Sequence, residues 1–125
     1  MTVLLDSSHY LMEQLPNGIV HVVVRGDFTH AIIDRFKAES DPHMRRLAPV
    51  LYLNDAGQAG DGPLSAKWKL AALMKERAPL VKKSAIYGMF GARRLVVGAL
   101  LRASGRSDRV GLFDTREEAE RYLLG

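Results

Sequence analysis

The chain of 125 residues contains no cysteine, which excludes disulfide bonds, thiolate metal ligands and cysteine nucleophiles. No apolar run approaches the roughly 18 residues that a membrane span requires, and residues 1–6 lack the basic start and long apolar stretch of a signal peptide. Aromatic residues make up only 7% of the chain, and they do not alternate with arginines as a base-stacking platform requires. These absences predict a cytoplasmic protein and disfavour nucleic acid as its partner.

The remaining composition is typical of a small globular domain. Hydrophobic residues make up 47% of the chain and charged residues 26%, and a chain of this length can bury an apolar core. We therefore predict a single domain over residues 1–125. The net charge of +4 fits an anionic lipid surface or an acidic protein partner.

The start of the chain predicts an antiparallel hairpin. Residues 9–15 and 19–25 are strand-like, and Asn17 and Gly18 between them favour the backbone conformation of a tight turn. Residues 50–53 are almost wholly apolar, which predicts a central strand that is covered on both faces.

Helices and strands alternate after the hairpin. Further strands are predicted at residues 84–88 and 110–113. Predicted helices begin at the capping residues Thr29, Ser65 and Thr115, another covers residues 91–104, and Pro42 is expected to end or restart the first one. This alternation predicts an α/β fold, with a mixed and mostly parallel sheet of about five strands and helices packed on it.

Loops that follow parallel strands meet beyond the carboxyl ends of those strands, where ligands bind in such sheets. These loops are residues 55–65, 88–94 and 114–115. Arg93 and Arg94 follow Gly91 at a helix start, which places guanidinium groups and unpaired backbone N–H groups together for an anion. The alternative is a glycine-containing turn with two exposed arginines. The predicted ligand- or anion-binding residues are Asp55, Ser65, Gly88, Gly91, Arg93 and Arg94.

The predicted helix over residues 91–104 is apolar on two sides. Its predicted core stripe consists of Leu95, Val96, Ala99, Leu100 and Ala103. Val97 and Leu101 are predicted to be exposed beside Arg102, as a surface for lipid headgroups or an acidic partner. The alternative is a helix buried on nearly all sides by a neighbouring subunit.

Several short motifs lie in the predicted strands and at their ends. They are LYLND at residues 51–55, SAIYG at 84–88 followed by ARRL at 92–95, and LFDTREEA at 112–119. Together they resemble the SpoIIAA-like family of the STAS superfamily, small bacterial proteins similar to anti-sigma-factor antagonists. This resemblance implies a STAS-like fold and a non-enzymatic role in binding a protein, a small ligand or a membrane.

The resemblance also bears on phosphorylation. The classical antagonists carry a phosphorylated serine after the central strand, in an Asp-Ser-like motif at a helix start. Here Asp55 is followed by Ala56, and Ser65 is the nearby serine at a predicted helix start. The sequence therefore departs from the pattern on which a kinase-controlled switch depends.

Catalytic patterns are not evident. The histidines at positions 9, 21, 30 and 43 lack zinc-ligand spacing, and there is no Gly-x-Ser-x-Gly motif. We predict no metal, cofactor or catalytic residue, and a binding or regulatory module. Its partner would be a protein, an amphiphilic or anionic small ligand, or a membrane that it contacts peripherally, at the loop edge and the 91–104 helix. The alternatives are a small phosphate-handling enzyme and a structural homodimer subunit.

Overall fold

Strands and helices alternate along most of the chain in the computed structural model, which describes residues 1–103, 105 and 109–125. The elements in chain order are β1 (Thr2–Asp6), β2 (Tyr10–Gln14), β3 (Val20–Val24), α1 (His30–Leu47), β4 (Val50–Asp55), α2 (Leu64–Arg77), a 3-10 turn (Ala78–Leu80), β5 (Val81–Tyr87), α3 (Gly91–Ala103), β6 (Val110–Phe113) and α4 (Arg116–Leu124). The end predicted for the third helix at residue 104 lies outside the described residues.

The strands form one six-stranded sheet in the order β1-β2-β3-β4-β5-β6. Strand β2 is antiparallel to both of its neighbours, β1 and β3, whereas β3 to β6 run parallel. This confirms the predicted mixed α/β sheet, with one strand more than expected. The additional strand is β1, whose register shifts between Val3 and Leu5. A bulge of this kind interrupts the alternation by which a strand is recognised in a sequence.

Strand β4 lies in the middle of the sheet and is covered on both faces, as predicted. On one face, Val50 packs in a cluster with Phe36 of α1 and Leu73 of α2. On the other face, Leu53 packs against Leu123 of α4. The sheet therefore separates α1, α2 and α3 from α4.

Two of the predicted helix caps are confirmed. The hydroxyl of Thr29 accepts a hydrogen bond from the backbone N–H of Ile32, and that of Thr115 accepts one from Glu118, both at 3.3 Å. The prediction for Ser65 is wrong, because α2 already begins at Leu64 and Pro63 occupies the cap position. Ser65 lies in the first turn of α2 instead.

The prediction for Pro42 is also wrong, because α1 continues through it to Leu47. Proline lacks the N–H that a helix interior needs. Arg77 of α2 stabilises the preceding turn by donating to the carbonyl oxygen of Lys37 at 3.1 Å. Beyond the proline, the fully buried Met44 packs into the core. Tertiary contacts on both sides of Pro42 thus hold the helix together.

The cap at Thr115 gives the first testable prediction. Thr115→Ala removes the acceptor for the Glu118 N–H and should lower the free energy of unfolding by about 1 kcal/mol in urea denaturation. Ser65→Ala is the matched control, since this serine also lies at a helix start but is not a cap, and its effect should stay within about 0.5 kcal/mol. An equal loss in both variants would contradict the assignment of the cap.

The predicted orientation of α3 is wrong. Leu101 is only 2% exposed, and the half-buried Val97 packs against the same cluster, whereas Leu95 is 74% and Val96 38% exposed. Of the predicted core stripe, Leu100 is the buried member. A helix with apolar residues on two sides has no unique buried face in its sequence pattern, so its contacts with the sheet and loops decide which side faces inward.

Candidate functional site

The predicted loop edge exists, and Arg93 holds part of it together. The Nη1 atom of Arg93 donates to the carbonyl oxygen of Ala59 at 2.6 Å. Its Nη2 atom lies 3.3 Å from Oδ1 of Asp61. These contacts tie the loop after β4 to the start of α3.

Arg94 makes the corresponding contact with the end of β6. Its guanidinium group pairs with Asp114 and also donates to the carbonyl oxygen of Leu112 at 3.1 Å. Both predicted anion-binding arginines are therefore engaged with acceptors of the protein itself. An anion at this edge would have to displace those acceptors, and anion binding here stays a prediction.

The predicted glycines and Asp55 shape the same loops. Gly88 has a φ of 86°, and a Cβ atom there would lie 2.8 Å from the backbone nitrogen of Gly57. That nitrogen donates to Oδ1 of Asp55 at 2.8 Å. Gly91 likewise has a positive φ, of 62°. Both glycines thus adopt a conformation that other residues rarely tolerate.

Ser65 contacts α1 rather than the other loops. Its exposed hydroxyl lies 2.9 Å from Nε2 of His30. The predicted ligand residues are therefore brought together in part: Asp55, Gly88, Gly91, Arg93 and Arg94 line the joined loops, while Ser65 pairs with a histidine of a neighbouring helix.

A cavity of about 170 Å³ lies between the sheet and helices α1, α2 and α3. Most of its lining is apolar, including Phe36, Met44, Leu70, Leu73, Met89 and Leu100. The polar lining consists of Tyr52, Asn54 and Ser84 from the strands, Lys67 and Arg77 from α2, and Arg93 from α3. Of the described residues, the lining includes basic side chains but no carboxylate.

Two polar atoms in this lining lack a partner among the described residues. They are Oδ1 of Asn54 and Nε of Arg77, both buried. Burial raises the pKa of the nearby Tyr52 to about 12, and the Arg77 charge opposes that rise only in part. The Tyr52 hydroxyl therefore stays protonated at neutral pH and keeps its capacity to donate a hydrogen bond.

The opposite face of the sheet holds a buried polar network. Nδ1 of His21 lies 2.9 Å from Oε1 of Glu13, and its Nε2 lies 2.9 Å from the Tyr87 hydroxyl. Burial, reinforced by the Asp55 charge, raises the pKa of Tyr87. His21 is thus a core histidine whose ring nitrogens both have partners. Across the described ranges, no group of three His, Cys, Asp or Glu residues is placed to hold a metal ion.

The chain as a whole can be compared with solved structures. An uncharacterized protein of the DUF3478 family from Shewanella loihica PV-4, described as having a SpoIIAA-like fold, superimposes with a TM-score of 0.68 over 90% of each chain at 16% identity. The fold is SpoIIAA-like. The anti-sigma factor antagonist SpoIIAA in its unphosphorylated form superimposes with a TM-score of 0.66 at 14% identity, over 93% of this chain and 98% of that one. Neither a family model nor a curated protein sequence matches the chain.

Two features of this SpoIIAA-like structure are formed largely by residues that the sequence does not predict as functional. The cavity residues are hard to find because they lie within regular elements, and Arg77 has the position of an ordinary basic residue in the last turn of a helix. The one signal is Asn54, a polar residue in the otherwise apolar strand β4, two positions from Tyr52 and hence on the same face.

The other feature is the outward side of α3 in this SpoIIAA-like fold. Phe90, immediately before the helix, is 63% exposed, in addition to the exposed Leu95 and Val96. The remaining exposed residues of the helix are Gly91, Ala92, Ala99, Arg102 and Ala103, so Arg102 is the one charged residue among them. Among the described helices none is long and apolar enough to span a bilayer.

Proposed function

We propose that this chain is a non-enzymatic regulatory module that binds a protein partner through the outward side of α3. The observation that carries the proposal is the exposure of large apolar side chains there, with Leu95 at 74% and Phe90 at 63%. Contiguous exposed apolar surface is uncommon in soluble proteins and marks interaction sites. We call the exposed residues Phe90, Leu95, Val96, Ala99 and Ala103 the α3 outer face.

The shape of this face suits a protein groove. The other side chains exposed on this part of the helix are small, namely Ala92, Ala99 and Ala103. Leu95 and Val96 therefore protrude as anchors from an otherwise flat surface. Helices commonly bind by laying such apolar anchors into a hydrophobic groove of another protein. Arg102, exposed at the margin of the face, would then meet an acidic residue at the rim of that groove.

The charges around α3 favour a protein over a lipid surface. Binding to an anionic membrane depends on basic residues that are available to the headgroups. Arg93 and Arg94 are instead paired with Asp61 and Asp114. The helix therefore presents apolar side chains with little positive charge, and membrane contact becomes an outcome for the test to exclude.

Similarity of fold gives further support. One structure of the same fold is that of an anti-sigma factor antagonist, which is a protein that acts through another protein. At 14% identity this likeness concerns the fold. The proposal includes no phosphoserine switch, since Ala56 follows the strand-end Asp55.

A photo-crosslinking amino acid at position 95, introduced into the full chain in its native cells, tests the proposal. We expect one discrete adduct with another protein, and its loss when Val96→Asp is added, because a buried carboxylate opposes apolar docking. The matched control carries the crosslinker at the exposed Glu117 of α4, on the other side of the sheet, and should give no such adduct.

Two further measurements on the purified protein test whether a second copy of this chain or a membrane binds the α3 outer face instead of a different protein. Sedimentation velocity should show no self-association that depends on Leu95, and pelleting with phosphatidylglycerol vesicles should leave the protein in the supernatant. If the protein forms a dimer that Leu95→Asp dissociates, then the α3 outer face binds a second copy of this chain rather than a different protein. Vesicle binding that Val96→Asp abolishes would assign the face to a membrane. An adduct that persists in the Val96→Asp background would also defeat the proposal.

A further inference from the structure

We propose that the cavity between the sheet and helices α1, α2 and α3 is a binding site for a small, neutral ring compound that carries one group able to donate and accept hydrogen bonds, such as a phenol or a primary amide. This site is separate from the α3 outer face and does not depend on the proposed protein partner. The observation behind it is the juxtaposition of an apolar cavity with two buried polar atoms that have no hydrogen-bond partner in the described ranges.

The size of the cavity matches one ring. Its volume is about 170 Å³, and an engineered apolar cavity of about 150 Å³ in an unrelated protein stays dry and binds benzene. Apolar side chains from all three helices surround it, among them Phe36, Leu73 and Leu100. A ring would restore the dispersion contacts that these side chains lack across the empty space.

The polar atoms select the substituent on the ring. Oδ1 of Asn54 is an acceptor without a donor, and the Nε–H of Arg77 is a donor without an acceptor among the described residues. Buried polar groups are normally hydrogen-bonded. A hydroxyl or primary amide donates and accepts at once, so either group can pair with the Asn54 acceptor or with the Arg77 donor.

The charges of the lining favour a neutral ligand over an anion. Nη2 of Arg77 lies 2.7 Å from Oδ1 of Asp41 and 2.6 Å from the Ser40 hydroxyl, so its charge is already compensated. Arg93 pairs with Asp61. An anionic ligand would therefore be desolvated with little net positive charge to receive it. Lys67 lines the cavity and has no ion pair within the described part of the chain, so its charge is the one that a carboxylate could neutralise.

Titration of the isotopically labelled full chain with four probes, followed by amide NMR shifts, tests this site. The probes are benzamide, phenol, benzene and benzoate. We expect benzamide and phenol to shift amides of α2 and β4 and to bind about tenfold more tightly than benzene and benzoate, because only they can both donate and accept a hydrogen bond.

Substitutions assign the binding to the cavity. Asn54→Leu should abolish the tenfold preference for benzamide while leaving benzene binding within about twofold. Gln14→Leu is the matched control, since it makes the same amide-to-aliphatic change on β2 at a residue that does not line the cavity, and it should keep the preference. Ala71→Leu fills the cavity and should abolish binding of every probe. If the Ala71→Leu variant does not fold, Ala71→Val, which adds less volume, is tested in its place.

Several results would overturn the inference. Equal affinity for benzene and benzamide would show that the polar atoms do not select the ligand. Tighter binding of benzoate, lost in Lys67→Met, would make the site anionic. Unchanged binding in the cavity-filling variant, or the absence of amide shifts up to about 10 mM of each probe, would show that the cavity does not bind these ligands. None of these outcomes concerns the α3 outer face, so the two proposals can fail independently.

Discussion

Leu101→Ala is expected to lower the free energy of unfolding by about 2–5 kcal/mol, the range for truncating a buried leucine. The side chain is 2% exposed and packs with Ile86, Met89 and Val110 between α3 and the sheet. Its removal takes apolar atoms out of the core and enlarges the adjoining cavity, which Leu101 also lines. Urea denaturation followed by circular dichroism measures the difference.

The matched control for Leu101 lies on the same helix. Leu95→Ala makes the identical change at a side chain that is 74% exposed, so the free energy of unfolding should change by no more than about 0.5 kcal/mol. A large loss in the Leu95 variant with little effect in the Leu101 variant would reverse the orientation of α3 and would also remove the α3 outer face.

Arg77→Met is expected to lower the free energy of unfolding by about 3 kcal/mol. This buried guanidinium group joins α2 to α1 by donating to Lys37, Ser40 and Asp41, and it lies over the Phe36 ring at 5.6 Å. Methionine leaves these acceptors without their donor. The cost is set at the lower end of the range for broken buried ion pairs, because the Asp41 side chain is still 32% exposed and can be solvated.

Two other variants show whether position and geometry cause that loss. Arg45→Met makes the same change at an exposed arginine of α1 and should have an effect within about 0.5 kcal/mol. Arg77→Lys keeps the charge but not the planar arrangement of donors, so it should recover only part of the stability. Equal stability of the Arg77→Met variant and the unchanged protein in thermal and urea unfolding would show that the α1–α2 contacts contribute nothing.

The elements that the sequence predicts well are those with local causes. The hairpin turn depends on the Gly18 φ of 89° and on the Asn17 side chain, which accepts from the Ile19 N–H at 3.2 Å. The start of α4 depends on Thr115 and Glu118, three residues apart in the chain. Such interactions occur between near neighbours, so the residue types and their spacing reveal them. Strand β1 escapes prediction because its bulge disrupts the one local pattern it has.

The sequence by itself therefore determined the class of fold, the central position of β4 and the loops that meet at its end. Only the tertiary structure decided which side of α3 is buried, since both sides are apolar and the choice rests on packing against Ile86 of β5 and Val110 of β6. The same holds for the cavity, whose polar atoms on Asn54 and Arg77 come from a strand and a helix end. A residue's partners across the core depend on strand order, register and helix rotation, and these properties belong to the packed chain rather than to any local segment of it.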